Sequence, residues 1–70
     1  MVYTENFVEN VKRALAQKGW SQRELARRAE VHWQTVNRIL SGGMVPTTDT
    51  VEKIATALDL GPTKVFRKPA

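Results

Sequence analysis

The chain has 70 residues, 11 Lys+Arg against 7 Asp+Glu for a formal charge of +4, and no cysteine. That length fits one domain, held by a single small core without disulfides. The missing cysteine excludes zinc-finger and redox-motif readings and fits a reducing compartment.

No apolar run approaches the roughly 20 residues of a membrane span. The opening MVYTENFVEN has neither the basic nor the apolar region of a signal peptide. A cytoplasmic protein is therefore expected. So short a chain leaves little room for a scaffold plus an enclosed catalytic cleft, so a binding module comes first.

The charge is unevenly placed. Residues 1–10 carry −2, residues 11–40 carry +5, residues 41–60 carry −2 and the last ten carry +3. The basic first half and tail favour an anionic partner, nucleic acid or acidic protein, unless these cations only solvate helix faces.

Taken in order, Thr4 is placed to cap a helix that runs to about Lys18. Phe7, Val8, Val11 and Leu15 recur at the three- and four-residue spacing of a buried stripe. Gly19 supplies the left-handed stop. Ser21 and Glu24 have the spacing of a capping box, flanked by Trp20 and Leu25 at the positions of a hydrophobic staple. A second helix is expected from Gln22 to about Ala29, with Leu25, Ala26 and Ala29 inward.

A third helix fits His32 to Leu40, with Val36 and Ile39 inward and Ser41-Gly42-Gly43 as its end. Thr47 caps a fourth, Thr48 to Leu58, whose buried face is Val51, Ile54, Ala55 and Leu58. Gly61-Pro62 opens a short fifth helix through Phe66, and Arg67 to Ala70 form a tail. No segment alternates with period two long enough to be a strand.

About three residues separate helices two and three, which forces a steep crossing as in a helix-turn-helix. Small Ala26 lets the two helices approach. On a helical wheel with Val36 at zero, Gln34, Arg38 and Ser41 fall opposite, at about 160°, 200° and 140°, and Asn37 at about 100°. That face carries hydrogen-bonding groups as well as charge. It is either an ordinary solvated face or a reader of the major groove, where Arg pairs with guanine and Gln or Asn with adenine.

The stretch GWSQRELARRAEVHWQTVNRILSGG resembles the helix-turn-helix core of the Cro and phage-repressor (XRE) family, whose pattern reads roughly G-L-S-Q-x-x-L-A-x-x-x-G-V-s-x-x-t-I-s-r-I-E-x-G. Matches fall at Gly19, Ser21, Gln22, Leu25, Ala26, Val31, Thr35, Arg38, Ile39 and Gly42, with Val36 a conservative swap. PTTDTVEKIATALDL is similar to the family's fourth helix, so the resemblance spans about Phe7 to Phe66. Two positions depart from it. Glu30 stands where the family has Gly at a left-handed turn, and Leu40 where it often has Glu.

The resemblance implies an all-α, five-helix, lambda-repressor-like domain that binds double-stranded DNA. It further implies a transcriptional regulator, expected to be a repressor, with helix three in the major groove of a near-palindromic operator. Gln34, Arg38, Asn37 and Trp33 are the candidate base contacts. For Trp33 the alternatives are apolar contact with a thymine methyl or a sugar, and partial burial against Leu40 and the turn.

Candidate phosphate contacts are Gln22, Arg23, His32, Thr35, Gly43 and Thr47. The family implies Gln22 directly, and helix N-termini attract anions. Arg27 and Arg28 are either phosphate contacts or solvated. A homodimer on DNA is expected, through helix five and the tail, including Leu60, Val65 and Phe66.

The alternative is an antitoxin or adaptor whose main partner is a protein, such as a toxin or RNA polymerase. No enzyme is expected, for want of paired carboxylates or a nucleophile–His–acid set. His32 is the sole histidine, which makes a poor metal site, and no cofactor is expected.

Overall fold

The computed structural model describes residues 2–61 and 64–66. It has four α-helices: α1 (Val2–Lys18), α2 (Gln22–Ala29), α3 (Trp33–Leu40) and α4 (Thr48–Ala57). A single 3-10 turn follows at Lys64–Phe66. No strand occurs among the described residues. Pro62 and the expected tail, Arg67 to Ala70, lie outside them.

Among the described residues the expected fifth helix is this one turn, held against α1. Asn10 Nδ2 donates to the Val65 carbonyl at 2.8 Å, and Asn6 Nδ2 donates to the Phe66 carbonyl at 3.3 Å. These bonds tie the turn to α1. Three boundaries also move, one of them the start of α3, at Trp33 with His32 just before it. Helix α1 starts at Val2, so Thr4 lies within its first turn instead of before it, and α4 ends at Ala57 with Leu58 as its cap residue.

The N-terminal caps follow the side chains. Ser21 accepts from the Glu24 amide at 3.1 Å, and Thr47 accepts from the Thr50 amide at 3.2 Å. Each satisfies an amide without a partner inside its helix. The capping box is only half made, because the Glu24 carboxylate turns away from Ser21 to Arg27 and Arg28. His32 holds the cap position of α3 in extended backbone but makes no side-chain cap bond.

All four helices end the same way. Trp20, Val31, Gly43 and Leu60 donate their amides back to Leu15, Ala26, Arg38 and Ala55, at 3.0, 3.0, 2.9 and 2.8 Å. This is the six-to-one bond of the Schellman motif, which requires a left-handed residue just past the helix. Gly19 and Gly42 fill that place at φ 69° and 84°, while Glu30 and Asp59 fill it at 58° and 59°. The chain therefore keeps the left-handed turn between α2 and α3 without a glycine.

The core is one cluster. Phe7, Val11, Leu25, Val36, Ile39, Ile54 and Val65 are fully buried, and each such side chain contributes about 1.5–3 kcal/mol. Leu40 is buried too, at 5% exposed, so this departure from the family pattern adds to the core. Helix α2 packs on α3 and α4, while α1 packs on the 3-10 turn and α3.

Val65 is closed off inside this cluster, and Phe66 is half-buried with its ring 5.7 Å from Phe7. Val65 therefore faces the core of its own chain, which corrects its expected place in a dimer contact, while Phe66 keeps part of its surface exposed. Ala26, 4% exposed, sits where α2 meets α3, and its carbonyl also accepts the Val31 bond.

Candidate nucleic-acid interface

Helices α2 and α3 are joined by Glu30, Val31 and His32 alone. Burial of Val36, Ile39 and Leu40 fixes the rotation of α3. Its opposite side then presents Trp33, Gln34, Asn37, Arg38 and Ser41 to solvent. The Gln34 amide and the Arg38 guanidinium have no partner among the described residues. They are exposed donors, and the glutamine is an acceptor as well, standing one helical turn apart.

The first turn of α2 lies against this face through two side-chain bridges. Asn37 Nδ2 donates to Gln22 Oε1 at 3.1 Å, across fifteen positions of sequence. The Gln22 amide nitrogen is left to donate elsewhere. Beside it, the Arg23 guanidinium carbon lies 4.3 Å from the centroid of the Trp33 ring. Wheel geometry alone puts Asn37 toward the polar face and Trp33 on its flank; it does not say that α2 occupies them.

The remaining arginines of α2 are committed elsewhere. Arg27 and Arg28 both donate to Glu24, at the three- and four-residue spacings that bring side chains together on a helix. Those hydrogen bonds, Arg27 first and Arg28 second, hold the Glu24 carboxyl below the usual glutamate range; the same pairing raises Arg27. Arg28 also lies 4.3 Å from the Trp20 ring, and Lys18 lies 5.2 Å from it. Trp20 is thus an anchor for two cations, a role that its place before the cap does not announce.

The other candidates are placed as follows. His32 is exposed and Thr35 is half-buried beneath the start of α3. The Gly43 amide closes α3 by donating to Arg38, so it is engaged within the fold. The Thr47 hydroxyl accepts from the Thr50 amide and donates to the Thr50 hydroxyl at 3.0 Å. Gln22, Arg23 and His32 are thus the phosphate candidates whose donors face outward uncommitted.

Beyond this face, an open groove between α1 and the α3–α4 loop is lined by Glu5, Val8, Glu9, Met44 and Val45. Val45 is 63% exposed. No group of three His, Cys, Asp or Glu side chains among the described residues could hold a metal ion. No described helix is long and apolar enough to cross a membrane.

Two short helices crossing over a three-residue turn, the second with a polar outward face, define a helix-turn-helix DNA-binding domain. A family model described as Helix-turn-helix matches residues 11–65. The chain belongs to that family, the Cro and phage-repressor (XRE) type, whose members are DNA-binding regulators. No curated protein and no solved structure matches it.

Proposed function

We propose that the protein is a sequence-specific transcriptional repressor that places α3 in the major groove of a near-palindromic operator. The observation that carries this reading is the pair Gln34 and Arg38. They are uncommitted, exposed and one turn apart on the helix that the core holds outward. Arg38 suits guanine O6 and N7, and Gln34 suits adenine N6 and N7. Asn37 and Trp33 flank them.

Gln22, Arg23 and His32 clamp phosphates on one side of the groove, with Thr35 as a secondary contact, while the donors of Gly43 and Thr47 stay committed within the fold. The charge concentrated in residues 11–40 adds a salt-dependent attraction that is blind to sequence. Two copies bind half-sites about one helical turn apart. Leu60, half-buried beside Val51 and Ala55, and the half-buried Phe66 are the remaining candidates for their contact. The protein acts in the cytoplasm on the nucleoid or on phage DNA, with no cofactor.

Binding-site selection from random duplexes with the purified chain tests this. Enrichment of a two-fold symmetric motif supports the reading. A single asymmetric motif removes the operator symmetry, and no enrichment removes sequence-specific binding altogether.

A further inference from the structure

Arg23 differs from its neighbours on α2. Arg27 and Arg28 are held by Glu24, whereas Arg23 has no hydrogen-bonding or ion-pair partner among the described residues. What holds it is the Trp33 ring, 4.3 Å from its guanidinium carbon. A cation on an aromatic face is attracted by the ring quadrupole, and this contact leaves the N–H groups of the guanidinium unspent. Trp33 is itself 39% exposed, so the pair stands at the surface and in reach of a large anion.

The position of Trp33 makes the contact informative. It is the first residue of α3, where a side chain is needed neither for the cap nor for the core. Free in solvent, an arginine side chain samples many rotamers and loses that freedom when it binds. An aromatic platform removes part of that freedom beforehand. A planar donor fork is then presented at the α2 N-terminus, beside backbone amides that have no acceptor within the helix.

We infer that Trp33 is a positioning residue, not a base reader: it holds Arg23 as a preorganised phosphate clamp, so that the start of the recognition helix governs a sequence-blind contact made by α2. This rests on the DNA-binding reading above. It assigns Trp33 an effect on affinity and salt dependence and none on base preference.

The test compares Arg23→Ala, Trp33→Leu, Trp33→Phe and the Arg23→Ala/Trp33→Leu double variant. Readouts are binding-site selection and affinity for the selected duplex across a salt series. A positioning role predicts that Trp33→Leu weakens binding about 3–10-fold, with Arg23→Ala comparable and the double variant no weaker than the worse single one. Trp33→Phe, which keeps a ring face, retains most of the affinity. Arg23→Ala lowers the slope of log affinity against log salt by about 1. Trp33→Leu lowers it in the same direction, and the selected motif is unchanged throughout.

If Trp33→Leu instead erases preference at one base position and its loss adds to that of Arg23→Ala, Trp33 reads DNA itself and the inference is overturned. The free protein separates this failure from failure of the DNA-binding reading. There, Arg23→Ala is expected to shift the Trp33 indole N–H resonance, assigned by its disappearance in Trp33→Phe. An unmoved resonance overturns the hold. A shifted resonance in a chain that selects no DNA sequence leaves the contact standing but overturns the clamp together with the DNA-binding reading.

Discussion

Glu30 and Asp59 share one backbone conformation, φ 58° and 59°, and each closes its helix where Gly19 and Gly42 close the other two. A side chain in that region crowds its own carbonyl, which costs roughly 1–2 kcal/mol, and aspartate is tolerated there better than most. Glycine relieves the clash but loses more conformational freedom on folding, so the net gain is smaller than the strain. Glu30→Gly is expected to stabilise the domain by about 0.5–1 kcal/mol, and Asp59→Gly by less. For a domain of this size the larger figure is a rise of roughly 4–8 °C in Tm. Thermal unfolding followed by circular dichroism checks both. A fall in Tm for Glu30→Gly would show that its side chain contributes more than its backbone strain removes.

The 3-10 turn depends on α1 in a way that gives a second prediction. Asn10 reaches a carbonyl fifty-five positions away, at 2.8 Å. Removing the donor leaves the Val65 carbonyl to find water at a partly buried site. Asn10→Ala is expected to cost about 1–2 kcal/mol, with Asn6→Ala costing less because its bond is longer, 3.3 Å. In urea the midpoint should fall with little change in the slope m, since the buried core stays intact. A lower m would mean that the turn has detached from α1.

The helices were legible because their ends carry local chemistry. Ser21, Thr47, Gly19 and Gly42 each do the expected work within their own turn. The apolar stripes read from spacing are the buried faces observed, except that Val8 of α1 is half-buried and Ala14, not read as part of the stripe, is buried. Asp59 was not legible as a left-handed cap, because nothing in an aspartate requires that conformation. A short turn ending at Phe66 was legible, but its attachment to Asn6 and Asn10 was not, because they stand more than fifty positions away in sequence. The outward face of α3 could be drawn on a wheel. The bridges from Gln22 and Arg23 onto it could not, since they depend on the angle at which α2 and α3 cross. The Glu24 pairing with Arg27 and Arg28 was available from three- and four-residue spacing, but the capping-box pattern claims the same carboxylate.

That competition for Glu24 leads to a prediction about charge. The carboxylate now occupies two arginines on the basic helix-turn-helix. Glu24→Gln should release them and raise affinity for non-specific duplex DNA, with a steeper dependence on salt. It should also change the response to acid. Because the folded Glu24 titrates below its usual range, its contribution to stability is complete above the ordinary glutamate value of about 4.3. That contribution is lost as pH falls through the lower, folded value. The pair is exposed, so the effect is small. A Tm series across this window should fall less steeply on acidification in Glu24→Gln than in the parent chain. Equal slopes would place the acid sensitivity in other carboxylates.

Arg38 is where base reading is most directly tested. It has no ion-pair partner among the described residues, and the buried neighbours Val36, Ile39 and Leu40 fix the turn of α3 that presents it. Arg38→Ala should lower affinity for the selected operator by about 1–3 kcal/mol and broaden one base position in the selection profile. Gln34→Ala should broaden a different position. Arg38→Lys should not restore the lost preference, because an ammonium cannot reproduce the two parallel bonds of a guanidinium to guanine. Competition with non-specific duplex separates this from a backbone contact. A base reader loses specific affinity and leaves non-specific affinity nearly unchanged. If Arg38→Ala instead weakened all duplexes alike and reduced the salt slope by about 1, Arg38 would be a phosphate contact. Base reading would then fall to Gln34 and its neighbours on α3.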